Sequence, residues 1–198
     1  MSSTLLSNGL IFIMKLIEKL ENPCTDEYKK LKEFALGEFM TWNYYQTTHS
    51  GRTYPDKDVK DIPLYSHVVM QRPYPTEGIP YSIIKSELFK KVYEVLDQIF
   101  THNNIRAFVI YRINFNSTSF SKGIKKTPWH RDLAIPHTNI IIYLNTFKDG
   151  QTYVKDGDVI EESSPKEDDI IIFDGDLDHC HALPKEPDRR VVLVANYL

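Results

Sequence analysis

An α+β chain, mainly β, built around an antiparallel barrel or jelly roll is the fold class that these 198 residues predict. Three observations lead there. Two amphipathic helical patterns lie in the first half. Segments rich in Val, Ile, Tyr and Phe follow in series after residue 104. Turn residues separate those segments, as in Lys148-Asp149-Gly150 and Asp174-Gly175-Asp176. Many short strands in series stack in two sheets or close on themselves, and helices grouped at the front pack on one sheet. Nothing between residues 81 and 105 reads as a boundary. The expectation is one domain over 1–198, with a β core from about 105 to 198 and helical and loop support over 1–104.

Lys15 to Glu21 reads as a short strand. Thr25 can cap a helix that carries Tyr28, Leu31, Phe34 and Ala35 on one side. Residues 41–81 are rich in Tyr, Pro, Thr and Asp without periodicity, which predicts long loops with one or two short strands. Ser86 opens the best helix, with Leu88, Val92, Val95, Leu96 and Ile99 as its buried stripe and His102-Asn103-Asn104 as its end. The strand segments are Ile105 to Phe115, His137 to Phe147, Gln151 to Ile160, Asp169 to Phe173 and Arg189 to Tyr197.

Hydrophobic residues make up 41% of the chain and charged ones 26%, which suits a globular domain with a real core. The net charge of −3 gives no general basic face for phosphates, so a nucleic-acid partner is not expected. Two cysteines, Cys24 and Cys180, make neither a disulfide framework nor a CxxC site, and a reducing cytoplasm is the expected location. The run Leu10 to Met14 has no basic segment before it and no cleavage site after it. It is too short to span a bilayer and reads as a strand or an extension.

The chemistry concentrates in Trp129-His130-Arg131-Asp132-Leu133 and in His179. On a strand, residues i and i+2 share a face, so His130 and Asp132 project together. An imidazole, a carboxylate and a second imidazole from a distant strand form a facial set that leaves positions open on non-haem Fe(II). Structural zinc would ask for four protein ligands, usually with thiolates. His179 and His181 share a face and compete as the distal ligand, while Cys180 turns away as a small buried hydrophobe. Trp129 and His137 flank the pattern, with packing and turn roles open to them as well as substrate contact. Asp174, Asp176 and Asp178 lack the Glu and flanking helices of a calcium loop and read as turn chemistry. His130-Arg131-Asp132-Leu133 also spells a kinase catalytic loop. His137 stands where that loop needs asparagine, and no glycine-rich loop or Asp-Phe-Gly exists.

The order HxD, Tyr143-Leu144-Asn145, Gly150-Gln151-Thr152, Phe173-Asp174-Gly175, His179, Arg190 resembles the prolyl 4-hydroxylase-like branch of the 2-oxoglutarate/Fe(II)-dependent dioxygenases. It is similar above all to short single-domain phage and microbial versions, over the stretch from about Ile105 onward. The resemblance implies a double-stranded β-helix, cupin-like, with iron held between two sheets by His130, Asp132 and His179. It further implies that Arg190 grips the distal carboxylate of 2-oxoglutarate, where a planar guanidinium can pair bidentately. Tyr143 would meet the same carboxylate, Thr152 would line the pocket, and Asn114 would lie near the cosubstrate. Arg189 alternates with Arg190 and should be solvated. A single glycine stands before Thr152 where the family commonly has two. The segment from Asn116 to Pro128, with Lys122, Lys125 and Lys126, reads as an entrance loop or lid.

The implied reaction consumes Fe(II)-bound 2-oxoglutarate and O₂, releases succinate and CO₂, and hydroxylates a C–H bond, with ascorbate as reductant. The substrate is a peptide or protein, including a peptidyl proline, or a small molecule. No membrane is involved, and the host cytoplasm is the setting if the gene is a phage's. Two alternatives stay open: a cupin-like binding module without turnover, and a nucleic-acid-modifying relative for which Lys122 to Lys126 would be the contact.

Overall fold

The structure is a computed structural model that describes residues 15–48, 61–74 and 78–198. The apolar run Leu10 to Met14 lies outside the described residues. In chain order the elements are β1 (Glu18–Leu20), α1 (Asp26–Leu36), β2 (Asn43–Tyr45), β3 (Leu64–Gln71), β4 (Ile83–Ile84), α2 (Phe89–His102), β5 (Ile110–Ser119), β6 (Thr138–Tyr143), β7 (Thr152–Asp156), β8 (Val159–Glu162), β9 (Ile170–Asp174), β10 (Asp178–His181) and β11 (Arg189–Tyr197). The major sheet runs β1-β9-β6-β11-β5-β3-β2, with β4 beside β3, and the minor sheet runs β10-β7-β8. All pairings are antiparallel. The fold is a double-stranded β-helix. No helix among the described residues is long and apolar enough to cross a membrane.

Two cores lie on the two faces of the major sheet. On the outer face, Ile113, Phe115, Ile140, Ile142, Val191, Leu193 and Ala195 meet the stripes of α1 and α2. On the inner face, Ile141, Tyr143, Phe173, Val192 and Val194 pack with Val154 of the minor sheet. β11 is buried along both faces, which is why it reads as an almost unbroken apolar run. Its inner face carries polar residues at both ends, Arg190 and Asn196, and both are buried.

Local chemistry sets the helices. Thr25 Oγ1 accepts from the Tyr28 amide at 3.2 Å, and Asp26 and Glu27 lie in the positive first turn of α1. Ser86 Oγ accepts from the Leu88 amide at 3.1 Å ahead of α2. Val92, Val95, Leu96 and Ile99 are buried as their spacing predicts. Phe34 is not: it is 37% exposed and turns toward a groove beside the sheet.

Several strand limits differ from expectation. β5 starts at Ile110 and continues through Asn116-Ser117-Thr118-Ser119. Asn116 is a poor strand former, but the stretch is held by pairing with β11 and β3. The supposed lid from Asn116 is therefore strand at its start. At its end it is tied to β10 by Thr127 N to His181 O at 2.9 Å, and to the residues after β10 by Leu183 N to Lys125 O at 2.9 Å. The segment Gln151 to Ile160 is a hairpin, not one strand: Asp156 pairs with Val159 around Gly157-Asp158, with Gly157 at φ 57°. β3, eight residues long, is one of the strands expected within residues 41–81, and it is longer than expected. A register shift between Val68 and Met70 breaks its alternation, which hid its limits from a period-two reading.

Candidate metal centre and its pocket

His130 does not sit on a regular strand. It forms an isolated antiparallel bridge with His179, and Asp132 lies at a bend. The two histidines exchange both backbone hydrogen bonds at 2.9 Å, so their side chains leave the bridge on one side, with ring centroids 4.2 Å apart. A bridge and a bend do here what two alternate strand positions were expected to do. One ligand atom each from His130, Asp132 and His179 lie within 4.8 Å of one another. His181 is outside this group, although it lines the same cavity.

The donor set fits a divalent transition metal. Nδ1 of His130 faces the Pro128 carbonyl at 3.1 Å, and Nδ1 of His179 faces that of Leu177 at 3.5 Å. An Nδ1–H bonded to a carbonyl leaves the Nε2 lone pair for an ion. Burial by itself would raise the Asp132 carboxyl. Arg112, and after it His179, Arg72 and His130, instead hold it well below the usual carboxylate range. Burial lowers the His179 imidazole, with Asp132 opposing. The set is two imidazoles and one carboxylate, as an Fe(II) site with open positions requires.

Around the triad lies a cavity of about 140 Å³. Arg190 lines it, 4% exposed, while Arg189 is exposed and donates to the Leu36 carbonyl at 3.3 Å. Arg190 Nε donates to Gly150 O and Nη2 to Thr152 Oγ1, both at 3.0 Å. Burial lowers the pKa of this guanidinium, and Tyr143 works in the opposite direction. Gly150, at φ 73°, lets its backbone approach: a Cβ there would stand 2.6 Å from the Phe147 ring and 3.3 Å from Arg190 Cδ.

Tyr143 was expected to reach the cavity directly. Its hydroxyl is instead bonded to Thr152 Oγ1 at 2.8 Å and Ser163 Oγ at 3.0 Å, behind the wall, and Thr152 is the one that lines the cavity. Asn114 lines a neighbouring groove of about 920 Å³, not the triad cavity, although cavity and groove share Arg72, Arg112 and Asn116. Trp129 and His137 do not line the cavity. His137 packs on Gly175, where a Cβ would overlap its ring. Asp174 accepts from the Asp176 amide at 2.9 Å, and Asp178 accepts from Arg131 Nε at 3.0 Å, so these acids serve a turn and a salt bridge.

No sequence pattern pointed to Thr118, Ser163, Arg112, Asn139 or Asn196. Thr118 lines the cavity directly opposite Arg190 in the β5–β11 register, and its buried hydroxyl has no hydrogen-bond partner among the described residues.

No family model matches the chain, and no curated protein sequence does. Solved structures do match. One is an oxidoreductase of the 2OG-Fe(II) oxygenase family from Burkholderia pseudomallei, with TM-score 0.59 and 15% identity over 86% of this chain and 78% of that one. Another is a prolyl hydroxylase from Trichoplax adhaerens in complex with a hypoxia inducible factor oxygen degradation domain peptide fragment. It gives TM-score 0.58 and 11% identity over 93% of this chain and 84% of that one. A third is the epimerase SnoN in complex with Fe³⁺, alpha ketoglutarate and nogalamycin RO, with TM-score 0.54 and 9% identity over 92% of this chain and 78% of that one. At these identities the likeness is one of fold.

Proposed function

We propose that the chain is an Fe(II)- and 2-oxoglutarate-dependent oxygenase that hydroxylates a C–H bond with release of succinate and CO₂. The observation that carries the reading is one small cavity with a buried two-histidine, one-aspartate group and a buried arginine in its wall. His130, Asp132 and His179 would hold the metal. Bound Fe(II), with 2-oxoglutarate and O₂, supplies the oxidising power. The chain's own residues supply binding, orientation and dryness.

Arg190 would take the distal carboxylate. Two N–H donors of the guanidinium are committed to Gly150 and Thr152, and others of its five would serve a ligand. Thr118, across the sheet from Arg190, offers a further hydroxyl. Tyr143 and Ser163 position Thr152 from behind. Ile141, Phe173, Val192 and Val194 line the cavity with apolar surface, which excludes water and strengthens each polar contact inside.

The wider groove, with Arg72 and Arg112 in the wall it shares with the cavity, is the route for substrate. A peptide, with proline as the hydroxylated residue, is the reading favoured by the neighbour solved with a peptide fragment. The test is succinate formation from 2-oxoglutarate with Fe(II) and ascorbate, across proline-containing peptides, nucleosides and amino acids. Metal binding without any succinate from any substrate would reduce the chain to a cupin-like binding module.

A further inference from the structure

Asp132 is the only anionic member of the metal-binding group, and neither of its oxygens is loose. Oδ1 accepts from Arg112 Nη1 at 2.6 Å. Oδ2 accepts from Asn196 Nδ2 at 3.1 Å and stands 3.7 Å from His179 Nε2. That last gap is too long for a hydrogen bond and suits two donors that share an ion. The Asp132 main-chain carbonyl is held as well, by Arg72 Nη1.

These holding groups are arranged by the sheet. Asn196 of β11 pairs with Arg112 of β5 on one side and with Asn139 of β6 on the other. The three form one polar row across three adjacent strands, on the face that also carries Ile141, Val192 and Val194. Asn196 Nδ2 also donates to Asn139 Oδ1. The rest of the Arg112 fork is closed by Asn114. With that amide turned so that both groups are satisfied, its oxygen accepts from Nη2 at 3.1 Å and Nε at 3.2 Å, and its nitrogen donates to Ile113 O at 2.7 Å. A guanidinium held along two edges cannot rotate away from the carboxylate.

A carboxylate can ligate through one oxygen or both. Two oxygens on one ion would take a position that a bidentate 2-oxo acid and O₂ need. With the protein supplying three donors, only single-oxygen ligation leaves three of six positions open. We propose that Arg112, seated by Asn114 and backed by Asn196, is a positioning residue that caps Oδ1 of Asp132, so that the aspartate offers an ion Oδ2 alone. This rests on the function proposed above and assigns Asn114 a task different from contact with the cosubstrate.

Co(II) stands in for Fe(II) because it does not oxidise during a titration. Calorimetry gives the dissociation constant for Co(II), then that for 2-oxoglutarate on the Co(II)-loaded protein, and the visible absorption reports the coordination shape. Arg112→Met releases Oδ1. Co(II) should bind at least tenfold tighter, 2-oxoglutarate at least tenfold weaker, and the absorption bands should shift. Arg112→Lys should lie between Arg112→Met and the wild type. Asn114→Ala keeps every charge and unseats the fork. It should move both constants in the same opposed directions, about threefold, and it carries the test if Arg112→Met does not fold. Both constants weakening together, or an unchanged spectrum in Asn114→Ala, would show Arg112 to be a structural ion pair only and overturn the inference. Wild-type protein that takes up Co(II) but no 2-oxoglutarate would overturn the proposed function instead, while the Co(II) arm still decides the cap.

Discussion

At the scale of single residues, the proposed function divides the cavity wall into groups that would touch a ligand and groups that hold them. Arg190→Ala deletes a charged partner worth about 1.5–3 kcal/mol. The apparent constant for 2-oxoglutarate should rise roughly tenfold or more, since about 1.4 kcal/mol is a factor of ten. Arg189→Ala, at an exposed position on the other face, should be near neutral in the same succinate assay. A large effect there with none at Arg190 would put the pocket on the wrong face of β11. Thr118→Val makes a sharper test, because its hydroxyl is buried without a partner among the described residues. Removing an unsatisfied polar group should leave urea stability unchanged or improved, while 2-oxoglutarate binds several-fold more weakly. A loss of stability with no change in binding would count against Thr118 as a ligand. Cys180 is 1% exposed, and burial pushes its thiol up to about 12. A thiol reagent at pH 8 should therefore modify Cys24 first and reach Cys180 only on unfolding. The folded pKa lies above the unfolded one, so this burial stabilises fully below about pH 8.5 and is lost as pH rises toward 12.

At the scale of elements, the turn between β9 and β10 is set by a close approach rather than by backbone angles. Gly175 has no need of a positive φ, but a Cβ would overlap the His137 ring, and its amide donates to His137 O at 2.8 Å. Gly175→Ala should cost about 1–3 kcal/mol in urea denaturation, as overpacking does. His137→Ala in the same chain should recover part of that loss, and strict additivity of the two would disprove the clash. The sequence reading named the turn and missed this reason for it. What was legible follows one rule: a feature shows when its parts are neighbours in sequence or recur at a fixed period. α2, β9 and β11 show through periodicity or composition, and His130 and Asp132 show as a local pair. The row Arg112–Asn196–Asn139 did not show, because only strand register brings it together. β3 showed only as an unplaced short strand within residues 41–81, because a register shift scrambles its alternation. Ser163 did not show because it reaches Tyr143 from a loop beyond the β7–β8 hairpin.

At the scale of the whole molecule, ligand binding and folding are one equilibrium. An ion that binds only the folded chain stabilises it by about 2.7 kcal/mol at a hundred times its dissociation constant. For a chain of this size that is a rise in Tm of roughly 5–10 °C. Co(II) should produce such a rise in the wild type and none in Asp132→Ala. The comparison has to be the shift and not the absolute Tm. Asp132→Ala also strands Arg112 with its charge uncompensated, and breaking a buried pair by itself costs about 3–5 kcal/mol. An equal Co(II) shift in both proteins would remove Asp132 from the metal site. The order of strands carries one more consequence, for how fast the chain can fold. Among the described strands, β11 comes after β10 in sequence, yet it lies between β6 and β5 and joins the β1-β9-β6 half to the β5-β3-β2 half of the major sheet. The two halves pair into one sheet only through residues 189–197, so those pairings span long loops and their closure entropy is lost late. Arg190 and Asn196 ride on that strand, one at each end of its cavity-facing side. The cavity wall is therefore complete only once β11 has paired on both sides.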